Sequence, residues 1–311
     1  MSSTARLEEA AAARRRTDLV GGGLAALGAL LFGVVVVLGK RVVEGPMTPE
    51  SMLAFRFGVA AIVLFGALLI LRRPLLAVKQ ERTGLALLAM FGYAVEATFF
   101  FTAIQHGTVA AVTLLFYLYP VIVTLAAWLV GRGTPAMPTI VALALAVAGA
   151  AIVVASGAGL TIEVPGVAFA LAAAFTFTAY LIGTDIVLRR TSPLTSATWV
   201  SAGASVGLFL FSAASGRLTV PADAADVWSI LAMGVATAGA FVCLMGALQM
   251  IGAVRTSIVS AAEPLAAALL GFAFLGETVG VWTAFGGVLI LAAAVIASLA
   301  RQVTAQEQQI T

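Results

Sequence analysis

The chain has 311 residues, of which 62% are hydrophobic and only 10% charged, and its mean hydropathy is +1.11. A soluble domain is roughly half apolar and keeps its exposed apolar patches small, so the excess has to face lipid. A single cysteine, Cys243, and a single histidine, His106, exclude a disulfide framework and a His/Cys zinc site, and the net charge of +3 sits in short loops between apolar runs, where membrane topology explains it better than nucleic-acid binding.

Taken in order, apolar segments of about 20 residues, the length that crosses a bilayer, predict helices at 19–40, 49–71, 83–104, 107–130, 137–156, 165–188, 195–215, 226–249, 252–275 and 280–300. The expected fold is therefore an all-α membrane protein of ten transmembrane helices. Residues 1–18 are polar and carry Arg6 and Arg14 to Arg16. They precede an apolar run longer than the 7–15 residues or so of a signal-peptide core, and so read as a retained basic leader. Residues 301–311 form a second tail. Outside the helices, twelve Lys and Arg fall on the side of the leader and three, Lys40, Arg41 and Arg217, on the other. This bias predicts a multi-pass protein of the inner membrane with both termini cytoplasmic.

Sliding the chain against itself gives one gapless offset, 144 residues. Ala103-Ile104-Gln105 falls on Ala247-Leu248-Gln249, Pro120 on Pro264, Thr134 on Thr278, and Thr48-Pro49 on Ser192-Pro193. The first repeat covers 19–156 and the second 165–300. Five helices per repeat is an odd number, so the second copy has to enter the bilayer from the opposite face. Such an inverted pair can expose a central site to each side in turn.

The stretch from Ala262 to Val288, AEPLAAALLGFAFLGETVGVWTAFGGV, closely resembles the signature of EamA-type members of the drug/metabolite transporter superfamily. Leu53-Ala54-Phe55-Arg56-Phe57 resembles that family's Arg-containing second helix, and Leu118-Tyr119-Pro120 its fourth. The pair Gly276-Glu277 has Arg132-Gly133 as its first-half counterpart, so a role the family gives that first-half glutamate is absent here. The resemblance implies a secondary transporter, often an exporter of amino acids or related small metabolites.

An ionisable side chain at membrane depth costs about 2.5 to 3.5 kcal/mol on insertion scales and normally faces a cavity or a partner. Glu96 is the first candidate for substrate binding, because Tyr93, Glu96, Phe100 and Ala103 follow helical spacing and make a stripe with one acid among aromatics. A carboxyl there can exchange a proton or hold a substrate ammonium; the plainer alternative is an ion pair with Arg56. Arg56 can bind a substrate carboxylate through its planar fork or tie down helix ends. Tyr117, Thr176, Tyr180 and Trp199 form a second tier of substrate-binding candidates, each of which could equally be packing. Pro120 and Pro264 each free a carbonyl four residues earlier, at Phe116 and Ser260, so with Glu263 they are candidate gating or hinge residues. Gln105 and Gln249 are expected to cap helix ends, and Arg255 to face a loop or snorkel.

No catalytic set, Walker loop, metal site or cofactor motif is found in the sequence, so an enzyme is not expected. The partners expected are a small-molecule substrate, the lipid bilayer and, through Glu96, protons. A homodimer is left open by the Ala-rich fifth and tenth helices. Competing readings are an exporter of hydrophobic or cationic drugs and a facilitative, channel-like carrier.

Overall fold

A chain this apolar has no water to bond its peptide groups within the bilayer, so they must be paired inside each segment, which leaves helices as the solution. The computed structural model describes residues 3–129, 137–155 and 162–260, and beyond these 263, 270–274, 276, 280–282, 284–289, 291–293 and 296. The elements are α1 (Ser3–Val43), α2 (Pro49–Ile70), α3 (Arg82–Gln105), α4 (Val109–Phe116), α5 (Tyr119–Leu129), α6 (Met137–Ala155), α7 (Val164–Val187), α8 (Pro193–Ala214) and α9 (Ala224–Val259). No strand occurs among the described residues. Six described helices are long and apolar enough to cross a membrane. Ile62, Phe91, Phe175, Phe211 and Val235 stand exposed along α2, α3, α7, α8 and α9, an apolar exterior that suits lipid. The protein is a multi-pass membrane protein.

Three boundaries differ from those expected. The leader is drawn into α1, which is continuous from Ser3. The segment expected as one helix over 107–130 is two, because Pro120 has no N–H and the chain breaks at Tyr117-Leu118, between α4 and α5. The link expected near residues 250–251 is instead a break inside α9 at Gly252, whose φ of 74° is open to glycine at little cost. Pro264, Thr134, Thr278 and part of the tenth helix, including 297–300, lie outside the described residues.

The 144-residue offset is visible in hydrogen bonds. Thr48 and Ser192 both cap their helices, accepting from the N–H of Ser51 and Thr195, and each hydroxyl lies 2.8 Å from that partner's hydroxyl. At the other ends Leu71 and Ser215 donate to Ala67 and Phe211, and Arg73 and Arg217 donate to Leu68 and Ser212 at 2.9 Å. Both closures pass through a left-handed residue, Arg72 at φ 50° and Gly216 at φ 68°. Helices α2 and α8 are the same unit built twice.

The pairing between halves is reciprocal. Helix α1 lies along α9, α3 along α7, and α2 along its own counterpart α8. The start of α2 meets the end of α8, where the Ser51 hydroxyl donates to Arg217 O and the Thr219 N–H donates to Ser51 Oγ. The start of α8 meets the chain just after α2, where the Thr195 hydroxyl donates to Pro74 O. The two equivalent helices thus run antiparallel.

Polar ties gather at the two ends of the bundle. At one, Lys40 donates to Gly107 O, Gln105 to Val43 O, and His106 Nδ1 lies 2.9 Å from Glu163 Oε2. At the other, Gln249 donates to Thr191 O and Arg255 pairs with Asp18 at 2.6 Å. The glutamines at matched positions therefore do matched work: Gln105 holds the end of α1, and Gln249 the link after α7. Glu81 clamps the same link by accepting from the N–H groups of Arg189, Arg190 and Thr191 and from the Thr191 hydroxyl. Burial pushes the Glu81 carboxyl up, but these four donors outweigh it and hold it below its ordinary value.

Two outcomes are expected. Glu81→Gln should cost about 1 to 3 kcal/mol near neutral pH, measured by unfolding in detergent. Because the folded-state value is depressed, the clamp contributes fully above the unfolded-chain pKa of ~4.3 and is lost as pH falls through the folded value, so the gap between variant and parent narrows below that range. Gly216→Ala should cost ~1 kcal/mol through backbone conformation alone, since a Cβ there meets nothing within 4 Å. Arg72→Gly should stabilise by ~0.5 kcal/mol, part of the relief being offset by added freedom in the unfolded chain.

Candidate functional site

The buried charges converge. Arg56 enters from α2, Tyr93, Glu96 and Phe100 from α3, and Glu263 from the segment after α9, and together they line one cavity. Arg56 sits two turns into a helix whose first turn is pinned by the Thr48 cap, so its depth is fixed by that cap. In α3, residues Leu88–Tyr93 form a π-helical stretch and regular α geometry resumes at Ala94. Tyr93, Glu96, Phe100 and Ala103 then fall on one buried stripe, as their spacing predicts. π-Helical turns of this kind are frequent at functional sites.

The cavity wall is otherwise apolar. Phe32, Val35 and Val36 of α1 contribute one side, with Phe101, Phe116 and Phe177 closing it. Its volume is about 40 Å³, room for a few waters at ~10–15 Å³ each and far below the ~300–1,000 Å³ of usual ligand pockets. The polar centre is thus a small space walled mostly by aromatic and aliphatic side chains.

Within it, the Arg56 guanidinium lies over the Phe57 ring at 4.5 Å and 5.7 Å from that of Phe101. It stands beside Tyr93 and feels the charges of Glu96 and Glu263. Even so, no ion pair within 4.0 Å forms between Arg56 and either carboxylate among the described residues, and the Arg56 Nε, fully buried, has no hydrogen-bond partner. The direct Arg56–Glu96 pair considered from sequence is therefore not made. Both groups face the same space instead.

Tyr117 does not line the cavity, but its hydroxyl lies 2.5 Å from the Ser260 carbonyl oxygen and 2.7 Å from Glu263 Oε2. It stands at the break before Pro120, so the two matched proline positions are joined through it. Tyr180 stands one ring away, edge-on to Tyr93 at 5.2 Å and stacked on Phe177 at 6.0 Å. Thr176 and Trp199 are not brought to the site. The Thr176 hydroxyl turns back to Ala172 O in its own helix, and the Trp199 indole N–H donates to Leu75 O at the bundle end. Arg255 is half-exposed in its pair with Asp18.

Sequence reasoning missed the contribution of α1. Phe32, Val35 and Val36 carry the i, i+3, i+4 signal of a buried face, but nearly every helix here is apolar all round, so the face is not singled out. It also missed the pairs at the bundle ends, Asp18 with Arg255 and Glu163 with His106, which lie 237 and 57 residues apart in the chain.

The EamA-like transporter family model matches this chain twice, over residues 19–155 and 164–299. An "Uncharacterized transporter" of Archaeoglobus fulgidus is 29% identical over 271 residues, covering 87% of this chain and 93% of that one. "Uncharacterized transporter YwfM" of Bacillus subtilis is 26% identical over 268 residues, covering 80% and 87%. A crystal structure superimposes with a TM-score of 0.65 at 20% identity, covering 91% of this chain and 98% of that one, a likeness that speaks for the fold alone. With a family match over both halves and an apolar exterior, the chain belongs to the EamA-like transporter family and is a multi-pass membrane transporter built from two copies of that family's domain.

Proposed function

We propose that the protein is a secondary transporter that exports amino acids or related small zwitterions by alternating access, with the Arg56–Glu96 cavity as its substrate site. The single observation that carries this reading is that Arg56 and Glu96 line one space without pairing to each other. A buried guanidinium with an unpartnered Nε is a receptor for a carboxylate, and a carboxylate across the same space is a receptor for an ammonium group. Tyr93, Phe100 and Phe177 around them suit a substrate with an apolar side chain. A hydrophobic cation would use Glu96 and the rings but leave the guanidinium without work.

The reciprocal packing supports the two copies as an inverted pair. Each half closes on the other at one end through the same kind of contact: the start of its first helix pairs with the start of the partner half's fourth, as Asp18 with Arg255 and as Glu163 with His106. With a cross-half pair at each end of the bundle, a cavity of about 40 Å³ is read as the contracted, substrate-free form of the site. Opening either end separates one pair and leaves the other closed. The orientation follows from the basic residues of the loops, with both termini cytoplasmic.

In proteoliposomes, Glu96→Gln and Arg56→Gln should each raise the half-saturation concentration for a zwitterionic amino acid by about 10- to 100-fold, the worth of one charge-assisted hydrogen bond. For a simple amine with no carboxylate, only Glu96→Gln should matter. Equal sensitivity of the amine to both substitutions would sink the zwitterion reading and favour a cation exporter. Separately, impermeant labels placed at the two termini of the protein in intact cells should both be unreactive until the cytoplasmic face is exposed. Reaction of one terminus alone from outside would remove the ten-helix inverted topology.

A further inference from the structure

Three oxygens stand in a row behind the cavity: the Ser260 carbonyl, the Tyr117 hydroxyl and Glu263 Oε2, separated by 2.5 Å and 2.7 Å. Each contact that short needs a hydrogen between its oxygens, because two lone pairs facing each other at that distance repel. A tyrosine hydroxyl has one hydrogen. The Tyr119 hydroxyl joins the same cluster beside Tyr117 and Ser260, but its hydrogen lies outside both of these contacts, and the Ser260 carbonyl, four residues before a proline with no N–H, takes the Tyr117 hydrogen. The second hydrogen then has to sit on the carboxyl.

From this count we infer that Glu263 carries a proton in the closed conformation, and that the Ser260–Tyr117–Glu263 contact is the proton-binding site of the transporter, separate from Glu96. The charged and titratable groups around it are Arg56 of α2, Tyr93 and Glu96 of α3, and Tyr117 and Tyr119 at the α4–α5 break. Helix α1 presents the apolar Phe32, Val35 and Val36, and α7 presents Phe177 with Tyr180 stacked on it against Tyr93. With Glu263 neutral, Arg56 and Glu96 balance, and the cavity is neutral toward a zwitterion. When the proton leaves to a cavity water, the hydroxyl of Tyr117 turns to the stronger acceptor, the new carboxylate, and the Ser260 carbonyl loses that donor. Loss of the proton thus acts on the break before Pro120 and on the end of α9 at once, because Tyr117 belongs to one and Ser260 follows the other. Proton release at this contact and rearrangement of these two helix ends are one event.

This inference rests on the reading of the cavity as a transport site, but its first test needs no substrate. Infrared spectra of the purified protein in lipid should show the carbonyl stretch of a protonated carboxyl at neutral pH. The band should vanish in Glu263→Gln, persist in Glu96→Gln, and move to higher frequency in Tyr117→Phe as its hydrogen bond is lost. Persistence in Glu263→Gln, loss in Glu96→Gln, or an unshifted band in Tyr117→Phe overturns the assignment, and the last variant decides the matter if the first does not fold. In vesicles, Glu263→Gln should flatten the pH dependence of flux at whatever rate remains, and a retained pH profile counts against coupling at this residue. Should zwitterions prove not to be carried while the band behaves as described, the substrate reading falls and the proton site stands.

Discussion

The structure turns on the burial of one guanidinium and two carboxylates inside a bundle that leaves them room for only a few waters. A charge at that depth is tolerated only against a partner or a cavity. Arg56 is held by aromatic faces, by Tyr93 and by two acids that approach without touching it. Everything near it follows from that constraint: the cap that sets its depth, the π-helical stretch before Tyr93 that precedes the acid stripe, and the closed apolar wall that keeps the charges strong. A better-packed interior would pair Arg56 with Glu96 and lose the space between them. That the space persists is what makes a ligand site the more economical explanation of these residues.

The scaffold is symmetric and the site is not. Caps, left-handed closures, glutamine ties and helix pairings recur at an offset of 144, yet the residues matched to Arg56, Glu96 and Glu263 are Val200, Ala240 and Tyr119. Duplication therefore supplied the framework, and the chemistry was placed once upon it. One consequence is that the two closed ends differ in kind. Asp18 pairs with an arginine at one end, whereas Glu163 meets a histidine at the other.

Much of this was legible in the sequence. Helix spacing placed Tyr93, Glu96 and Phe100 on one buried face, and the offset of Thr48-Pro49 onto Ser192-Pro193 marked two helices with the same cap. Proline chemistry gave the break before Pro120 and named Ser260 as the carbonyl left wanting, though not Tyr117 as the group that would reach it. What stayed hidden was set by tertiary contact. The hydroxyl of Thr176 has a carbonyl of its own helix within reach, and the indole of Trp199 finds a loop carbonyl, so neither is driven to the cavity. The break at Gly252 rests on one glycine's φ, which nothing in the surrounding Met-Ile-Gly-Ala distinguishes from the other glycines in the helices.

Sixteen residues separate Arg56 from Arg72, and the contrast between them shows how position decides what a cation does. Arg72 lies beyond the end of α2 in a left-handed turn, exposed among neighbours of the same sign, where its charge helps set topology and its backbone costs a little stability. Arg56 lies fully inside, where its charge would be costly were it not answered across a gap. The helix that carries Arg56 and ends just before Arg72 is closed at each end like its counterpart α8. Since α8 has Val200 where α2 has Arg56, an equivalent framework stands without the guanidinium. The fold therefore does not call for a guanidinium at that position.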